Sequence, residues 1–328
     1  MPKVSVIIPV YNCEAYIEKC ARSLFEQSLD DIEYIFINDC TKDNSVEVLE
    51  EVVSHYPDRA VIIINNDTNI GPGPSRNAGI RAAKGEYIIF CDSDDFVECE
   101  AYENLYLLAK QNDADVVACG IGYYDENDEC LFSELYYTNE ITKESLYDLK
   151  RLEGGIHSSS CNKLVKHDFL LRHSISFADG VVMWDDLFVT IRYRFFANKI
   201  CVIDKPYYHY IMHPNSITHE GILKRTESQI LCARLISDYF EGMEIDERLK
   251  RSLMFLKFSS KTALYEKETL KRWLSLFPES HRYIWNFRDY YGAKFAIGRI
   301  FVANLGLFGW NCITILGRIK RLIYKVRP

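Results

Sequence analysis

The residues best placed to do chemistry are carboxylates. Asp92-Ser93-Asp94-Asp95 follows the apolar run Tyr87 to Cys91, so carboxylates are held together at the end of a buried strand, where their mutual repulsion must be offset. A divalent cation with a preference for hard oxygen ligands, Mg²⁺ or Mn²⁺, offsets it best. Helix capping through Asp95-Phe96-Val97-Glu98 accounts for Asp95 but leaves Asp92 and Asp94 without a purpose. A second pair, Asp185-Asp186, follows Trp184 and opens an apolar helical stretch through Phe196. It reads either as a helix cap or as a general base whose pKa is raised by an apolar neighbour.

Two further groups sit at turning points of the chain. Arg76, in Arg76-Asn77-Ala78-Gly79, opens a helix, where a guanidinium can bind a diphosphate bidentately or stand as a solvated charge. Asp39 ends a strand and could accept a hydrogen bond from a base or a sugar. In the same loop Asn44, with Glu47 three residues on, is expected to cap the following helix. His209, His213 and His219 are close in sequence, but spacings of four and six do not share one helix face, and His213-Pro214 reads as a turn.

These residues need a scaffold, and the first 120 residues supply one. Val4–Val10, Ile32–Ile37, Val61–Ile64, Tyr87–Cys91 and Asp115–Cys119 read as strands. Ala15–Phe25, Val46–Val53, Ser75–Ala83 and Tyr102–Lys110 read as helices between them. The alternation predicts an α/β fold with a doubly wound, mostly parallel sheet, whose ligands bind at the carboxyl ends of the strands. Polar loops converge there: Pro9 to Asn12, Asn38 to Thr41, Asn65 to Arg76 and Asp92 to Asp95. No G-x-G-x-x-G follows the first strand and no G-x-x-x-x-G-K-[ST] occurs, which argues against a dinucleotide oxidoreductase and a P-loop NTPase. Gly71-Pro72-Gly73-Pro74 lacks the backbone donors of a phosphate cradle and is expected to be a shaped loop. A nucleotidyltransferase would need a glycine-rich, basic first loop, which Pro9-Val10-Tyr11-Asn12 does not provide.

The chain is 328 residues long with 48% hydrophobic residues, enough for one large or two ordinary domains. Its eleven scattered cysteines, with no CxxC pair, fit a reduced compartment. Met1-Pro2-Lys3 runs straight into strand-like sequence without the features of a signal peptide, so the protein is expected in the cytoplasm. After Asp289 there is no acidic residue, while Lys294, Arg299, Arg318, Lys320, Arg321, Lys325 and Arg327 give seven positive charges, against a net charge of −8 for the whole chain. So acidic a body repels nucleic acid, and the basic, apolar tail suits an anionic membrane surface. Ile300 to Gly317 is uncharged but interrupted by Gly306, Gly309, Asn304, Asn311 and Thr314. A span would carry the terminal basic cluster across the membrane, against the positive-inside tendency. The expected arrangement is a helix or helical hairpin lying in the interface at the inner face of the cell membrane, with packing on the catalytic domain as the alternative.

Val4-Ser5-Val6-Ile7-Ile8-Pro9-Val10-Tyr11-Asn12, Asn38-Asp39 to Ser45, Asn69-Ile70-Gly71 with Arg76 to Gly79, and Lys84-Gly85-Glu86-Tyr87-Ile88 leading to Asp92-Ser93-Asp94-Asp95 occur in an order and spacing that resembles the family 2, inverting glycosyltransferases with the A-type nucleotide-sugar fold. The match covers about residues 3 to 220. Asn162-Lys163-Leu164, Asp185-Asp186 and Tyr210 with Ser216-Ile217-Thr218 resemble the family's second half. The resemblance implies a metal-dependent transferase in surface-polysaccharide assembly, with a nucleotide diphosphate sugar as donor, UDP-linked, and a glycan or lipid-linked acceptor. It implies that Pro9, Tyr11 and Asp39 border the base, that Glu14 faces the nucleotide, and that Arg76 lies near the base or diphosphate. Asp92 would contact the ribose beside the metal, Asp94 would bind Mn²⁺ or Mg²⁺, and Asp186 would deprotonate the acceptor. Asp185 departs from the family's usual Glu-Asp pair, and Cys40 stands where glycine is usual. A non-catalytic nucleotide-sugar-binding partner of another transferase is the alternative. The domains are expected as a catalytic domain over 1–220, a helical appendage over 221–290 and the basic apolar tail over 291–328.

Overall fold

The computed structural model describes residues 1–135, 158–213 and 221–325. Described residues up to 213 form one compact unit, and those from 221 onward a second. The first is α/β. In chain order it contains β1 (Val4–Val10), α1 (Ile17–Phe25), β2 (Ile32–Asn38), α2 (Ser45–Ser54), β3 (Ala60–Asn65), α3 (Pro72–Ala82), β4 (Tyr87–Phe90), β5 (Phe96–Val97), α4 (Ala101–Asn112), β6 (Val116–Tyr124), β7 (Cys130–Glu134), β8 (Lys163–Lys166), α5 (His167–Arg172), α6 (Asp185–Phe196) and β9 (Ile200–Ile211).

Among the described residues the strands form one mixed sheet in the order β3-β2-β1-β4-β8-β6-β9-β5, with β7 paired to β6. The run β3-β2-β1-β4 is parallel, as the strand–helix alternation requires. Beyond it β8 is antiparallel to both β4 and β6, while β9 returns parallel to β6. Val4, Val6, Ile7 and Ile8 are fully buried, as expected of a central strand covered on both faces. Ser5 is buried too. Its hydroxyl donates to Glu33 Oε1 at 2.5 Å and accepts from the Gly85 amide at 2.8 Å, while the Lys84 amide donates to the same carboxylate oxygen. A side chain at Gly85 would place its Cβ 2.5 Å from the Ser5 amide nitrogen, so only glycine lets this turn close on β1.

Register delivers the polar loops to one edge. Val10 lies opposite Asn38 and Asn38 opposite Asn65, so β1, β2 and β3 end level. Phe90 lies opposite Ile7, which brings the carboxylates after β4 up to the level of Pro9 and Val10. Two local expectations are corrected. The Gly71–Pro74 segment is not a loop but the start of α3, because proline at the first helical positions gives up no intrahelical bond. Asp95 caps no helix: it is buried, and α4 begins only at Ala101.

The second unit is helical: α7 (Ile222–Tyr239), α8 (Glu247–Ser259), a 3₁₀ turn at Thr262–Leu264, α9 (Leu270–Ser275), a 3₁₀ segment at Pro278–Phe287, α10 (Arg288–Tyr291) and α11 (Ala293–Lys325). Between α7 and α8 the chain turns at Gly242 with φ 78°, and Asp246 then opens α8 by accepting from the Leu249 amide at 2.7 Å. Trp273, Phe255, Phe258, Ile284 and Phe287 form the core, and Ala296 and Val302 of α11 are buried in it.

Lys261 is fully buried in this unit. Its Nζ lies within hydrogen-bond distance of the carbonyls of Trp273, Leu276 and Phe277, at the carboxyl end of α9, and 2.8 Å from His281 Nε2. His281 stacks on Trp273 with ring centroids 4.6 Å apart. Burial first, then the Lys261 charge, pushes His281 down to about 4. A depressed histidine pKa gives stability that is complete above about 6.5 and lost as pH falls toward 4. The melting temperature of this unit should therefore drop between pH 6.5 and pH 4.5, and His281→Gln, a neutral acceptor, should flatten that dependence in thermal melts. An unchanged slope in the variant would show that His281 carries none of it.

Candidate active site

The site is built from the motif Arg76-Asn77-Ala78-Gly79 on α3. A Cβ at Gly79 would lie 2.3 Å from Ile7 Cγ2, so glycine here lets α3 lie against β1. Asn77 clamps the chain that leads to α6: its Nδ2 donates to the Phe177 carbonyl at 3.0 Å and its Oδ1 accepts from the Phe177 amide at 2.8 Å. Arg76 points into the interior. The residue is 5% exposed, and its guanidinium bridges two carboxylates, donating from Nη2 to Asp92 Oδ1 at 2.6 Å and from Nη1 to Asp185 Oδ2 at 2.8 Å.

One buried cation therefore joins the end of β4 to the start of α6. Burial, then the charge of Asp186, pushes the Asp185 carboxyl up to about 7, with Arg76 pulling the other way. The helix begins abruptly, since Trp184 occupies its cap position in the left-handed region at φ 69°, and both aspartates stand in the first turn. Asp186 has a different partner: its Oδ1 accepts from the Ser160 hydroxyl at 2.6 Å.

Asp94 and Asp95 diverge. Asp95 turns inward, accepting from the Tyr208 hydroxyl and from the Ile211 amide at 2.9 Å, which fastens the last residues of β9 to this loop. Burial and repulsion from Asp94 and Asp92 hold its pKa well above the carboxylate range. The chain continuing from β9 then brings His213 onto Asp94, with Nε2 donating to Oδ2 at 2.9 Å, while His213 stacks on Tyr16 at 4.8 Å. His213 Nδ1 is buried without a partner. Once Nε2 gives up that proton, it and the Asp94 oxygen would be two candidate ligands of one divalent cation. Among the described residues no group of three histidine, cysteine or acidic side chains is placed to hold a metal, so the other ligands of such a cation would come from the substrate and water.

The loops after β1 and β2 are stitched together. The Asn12 amide donates to Thr41 Oγ1 at 2.8 Å and the Cys13 amide to Ser45 Oγ at 2.9 Å. Asp39 is buried, and its carboxylate accepts from Asn66 Nδ2 and from the amides of Ile70 and Gly71, all at 2.8–2.9 Å, so it shapes the loop that leads into α3.

Residues 5–172 match the sequence profile described as Glycosyl transferase family 2, which is just over half of the chain. The chain belongs to this family. It is similar to the putative glycosyltransferase EpsH of Bacillus subtilis, 33% identical over 230 residues, covering 69% of this chain and 66% of that protein. The chain thus spans just under two thirds of that relative's length. Its fold is that of S. aureus TarS 1-349 solved in complex with UDP-GlcNAc, with a TM-score of 0.68 at 19% identity over 93% of this chain and 92% of that one. The mannosyltransferase PcManGT of Pyrobaculum calidifontis, solved with GDP-Man and Mn²⁺, aligns over 84% of this chain and 74% of its own, with a TM-score of 0.57 at 16% identity.

In this family 2 glycosyl transferase, Asp92, Asp185 and Arg76 meet directly, with Asp186 beside them, and Asp94 meets His213. Pro9 and Tyr11 stand at the end of β1, with the Tyr11 ring 44% exposed. Glu14 accepts from the Asn44 amide and side chain at 3.1 and 3.0 Å, and Asp43 accepts from the Ser45 amide. Those two carboxylates, rather than an Asn44–Glu47 box, cap α2. Cys40 takes the left-handed φ of 59°, the conformation that glycine adopts without strain. His209 is buried against Phe96 and paired with Glu98, and His219 and Ser216 to Thr218 lie outside the described residues. Ser160 and the His213–Asp94 pair were not legible beforehand: a lone serine carries no pattern, and the histidine spacing argued for separate faces.

Removing the central cation should leave Asp185, whose side chain is 14% exposed, and the more open Asp92 without their counter-charge. Arg76→Met is expected to cost about 3–5 kcal/mol of stability in urea denaturation. Asp185→Asn keeps an acceptor for the guanidinium and should cost clearly less. Equal losses for the two variants would rule out the bridge as the source.

Proposed function

We propose that this protein transfers a sugar from a nucleotide diphosphate sugar, UDP-linked, to a hydroxyl of a glycan or lipid-linked acceptor, with inversion, in cell-surface polysaccharide biosynthesis at the inner face of the cell membrane. The observation that carries this reading is the Arg76-centred cluster, which sets the Asp92–Asp94 edge and Asp185–Asp186 side by side at the carboxyl ends of the strands. Membership of the family and the similarity to EpsH support it.

Tyr11 would offer its exposed ring to the base, beside Pro9, with Asp39 ordering the wall of that pocket. Glu14, tied to Asn44, would keep the rim of the nucleotide site in shape. Asp92, with one oxygen on Arg76, would hold the ribose with the other. Asp94 and His213 would hold Mn²⁺ or Mg²⁺, which when bound supplies positive charge to the leaving diphosphate. Asp186, with Oδ1 fixed by Ser160, would take the acceptor's hydroxyl proton on Oδ2. The acceptor oxygen then bonds to the anomeric carbon as the bond to the diphosphate oxygen breaks on the opposite face, and the configuration inverts. Arg76 keeps Asp185 engaged, so the base is the neighbouring carboxylate.

Calorimetric titration with UDP and with GDP, each with and without Mn²⁺, tests the donor side: UDP binding that requires metal is expected, and Asp94→Ala should lose it. Asp186→Asn should retain UDP affinity within about twofold while transfer falls by about 10²–10⁴. Near-normal transfer by Asp186→Asn would falsify the base assignment.

A further inference from the structure

Helix α11 has the composition of a membrane span, and its fold is not that of one. Ala293–Ile315 is long and apolar enough to cross a bilayer, with a mean hydropathy of 1.3. Gly306, however, has φ 54° and ψ −132°, a backbone conformation essentially confined to glycine, which divides α11 into two legs. The close approaches show what the break does. A Cβ on Gly309 would lie 2.8 Å from the Phe301 carbonyl oxygen, and one on Gly298 would lie 3.7 Å from Ile313 Cδ1. In a straight helix those pairs would be roughly 12 and 22 Å apart along the axis. The chain therefore doubles back at Gly306 as an antiparallel helical hairpin, and Gly309 is the point of closest contact.

The hairpin has two faces. Inward, Ala296 and Val302 are buried in the helical unit's core, with Ile300, Ala303, Trp310 and Ile313 packed on it, and Trp310 meets Tyr265 edge-on at 4.9 Å. Outward, Ile297, Phe301 and Leu305 form a stripe at a spacing of four on the first leg. Leu307, Phe308 and Ile315, at the tip and on the second leg, are exposed as well, Phe308 by 68%. Large apolar side chains concentrated in this way mark an interaction surface.

Charge decides what that surface meets. Lys294 precedes the stripe, and Arg318, Lys320, Arg321, Lys325 and Arg327 follow it in sequence, with no carboxylate after Asp289. A second copy docking through the same patch would bring like charges together. Anionic lipid headgroups complement the basic flanks while the acyl chains receive the stripe. The first leg, 13 residues from Ala293 to Leu305, is only about 20 Å long, short of a hydrocarbon core of about 30 Å. Because the chain turns back at Gly306, the second leg runs toward the level at which the first began, which a single span could not do.

We propose that the hairpin centred on Gly306 is a monotopic anchor, which buries Phe301, Leu305, Phe308 and their neighbours in one leaflet of an anionic phospholipid membrane. This rests on the reading of a membrane-face acceptor and replaces its general tail contact with a defined surface. Flotation of the full chain with vesicles of phosphatidylglycerol and phosphatidylcholine, against phosphatidylcholine alone, tests it. Binding should favour the anionic vesicles by at least tenfold and weaken with salt. Phe301→Glu with Phe308→Glu, both at exposed positions, should lower it a further tenfold or more with an unchanged melting temperature. UDP titration of the double variant, which should be unaffected, separates failure of the anchor from failure of the donor site. Absence of wild-type binding at low salt, binding indifferent to the double variant, or a wild-type dimer that the double variant turns into a monomer would each overturn the proposal.

Discussion

Everything at the site depends on one buried guanidinium. A charge removed from water as completely as that of Arg76 is tolerated only where opposite charges and hydrogen bonds replace the lost hydration, and Asp92 and Asp185 supply both. The two carboxylates come from segments far apart in sequence, one at the end of β4 and one at the start of α6. The bridge thus fixes the distance between the end of β4 and the first turn of α6. The neighbouring residues of the same motif serve that geometry, Asn77 by clamping Phe177 and Gly79 by letting α3 settle on β1.

The three carboxylates after β4 show how one short loop is divided among tasks by environment. Asp92 faces the arginine, Asp95 is buried and bonded to β9, and Asp94 meets an imidazole. These partners offset part of their mutual repulsion, the remainder of which helps burial to hold the Asp95 pKa up. Asp95 matters indirectly, because fastening the end of β9 is what brings His213 to Asp94. The fold of a UDP-GlcNAc-bound relative, S. aureus TarS, extends over 93% of this chain at 19% identity, so the scaffold is kept while most of the residues on it differ.

The helical unit handles the opposite problem, an excess of apolar surface. Part of α11 completes a core around Trp273, while large apolar side chains on both sides of the bend at Gly306 remain exposed. Composition alone treats those residues as one long apolar segment. Backbone geometry separates them into a packed side and an open side.

The parallel half of the sheet could be read from the sequence because the apolar runs of β1, β2 and β4 are continuous and their ends are marked by polar loops, a pattern set by local burial and chain direction. The same local logic singled out Asp92, Asp94, Arg76 and the Asp185-Asp186 pair as candidates. Their partners were another matter. Arg76 could have been a solvated charge, and Asp185 could have been a cap, until the meeting of residues 109 positions apart made each the other's counter-charge. Ser160 and His213 acquired roles only because antiparallel β8 and the return along β9 bring them to the aspartates. Sequence determined which elements form and which groups can ionise; tertiary structure decided which of those groups face one another, since hydrogen bonds and ion pairs act over a few ångströms of space and not along the chain.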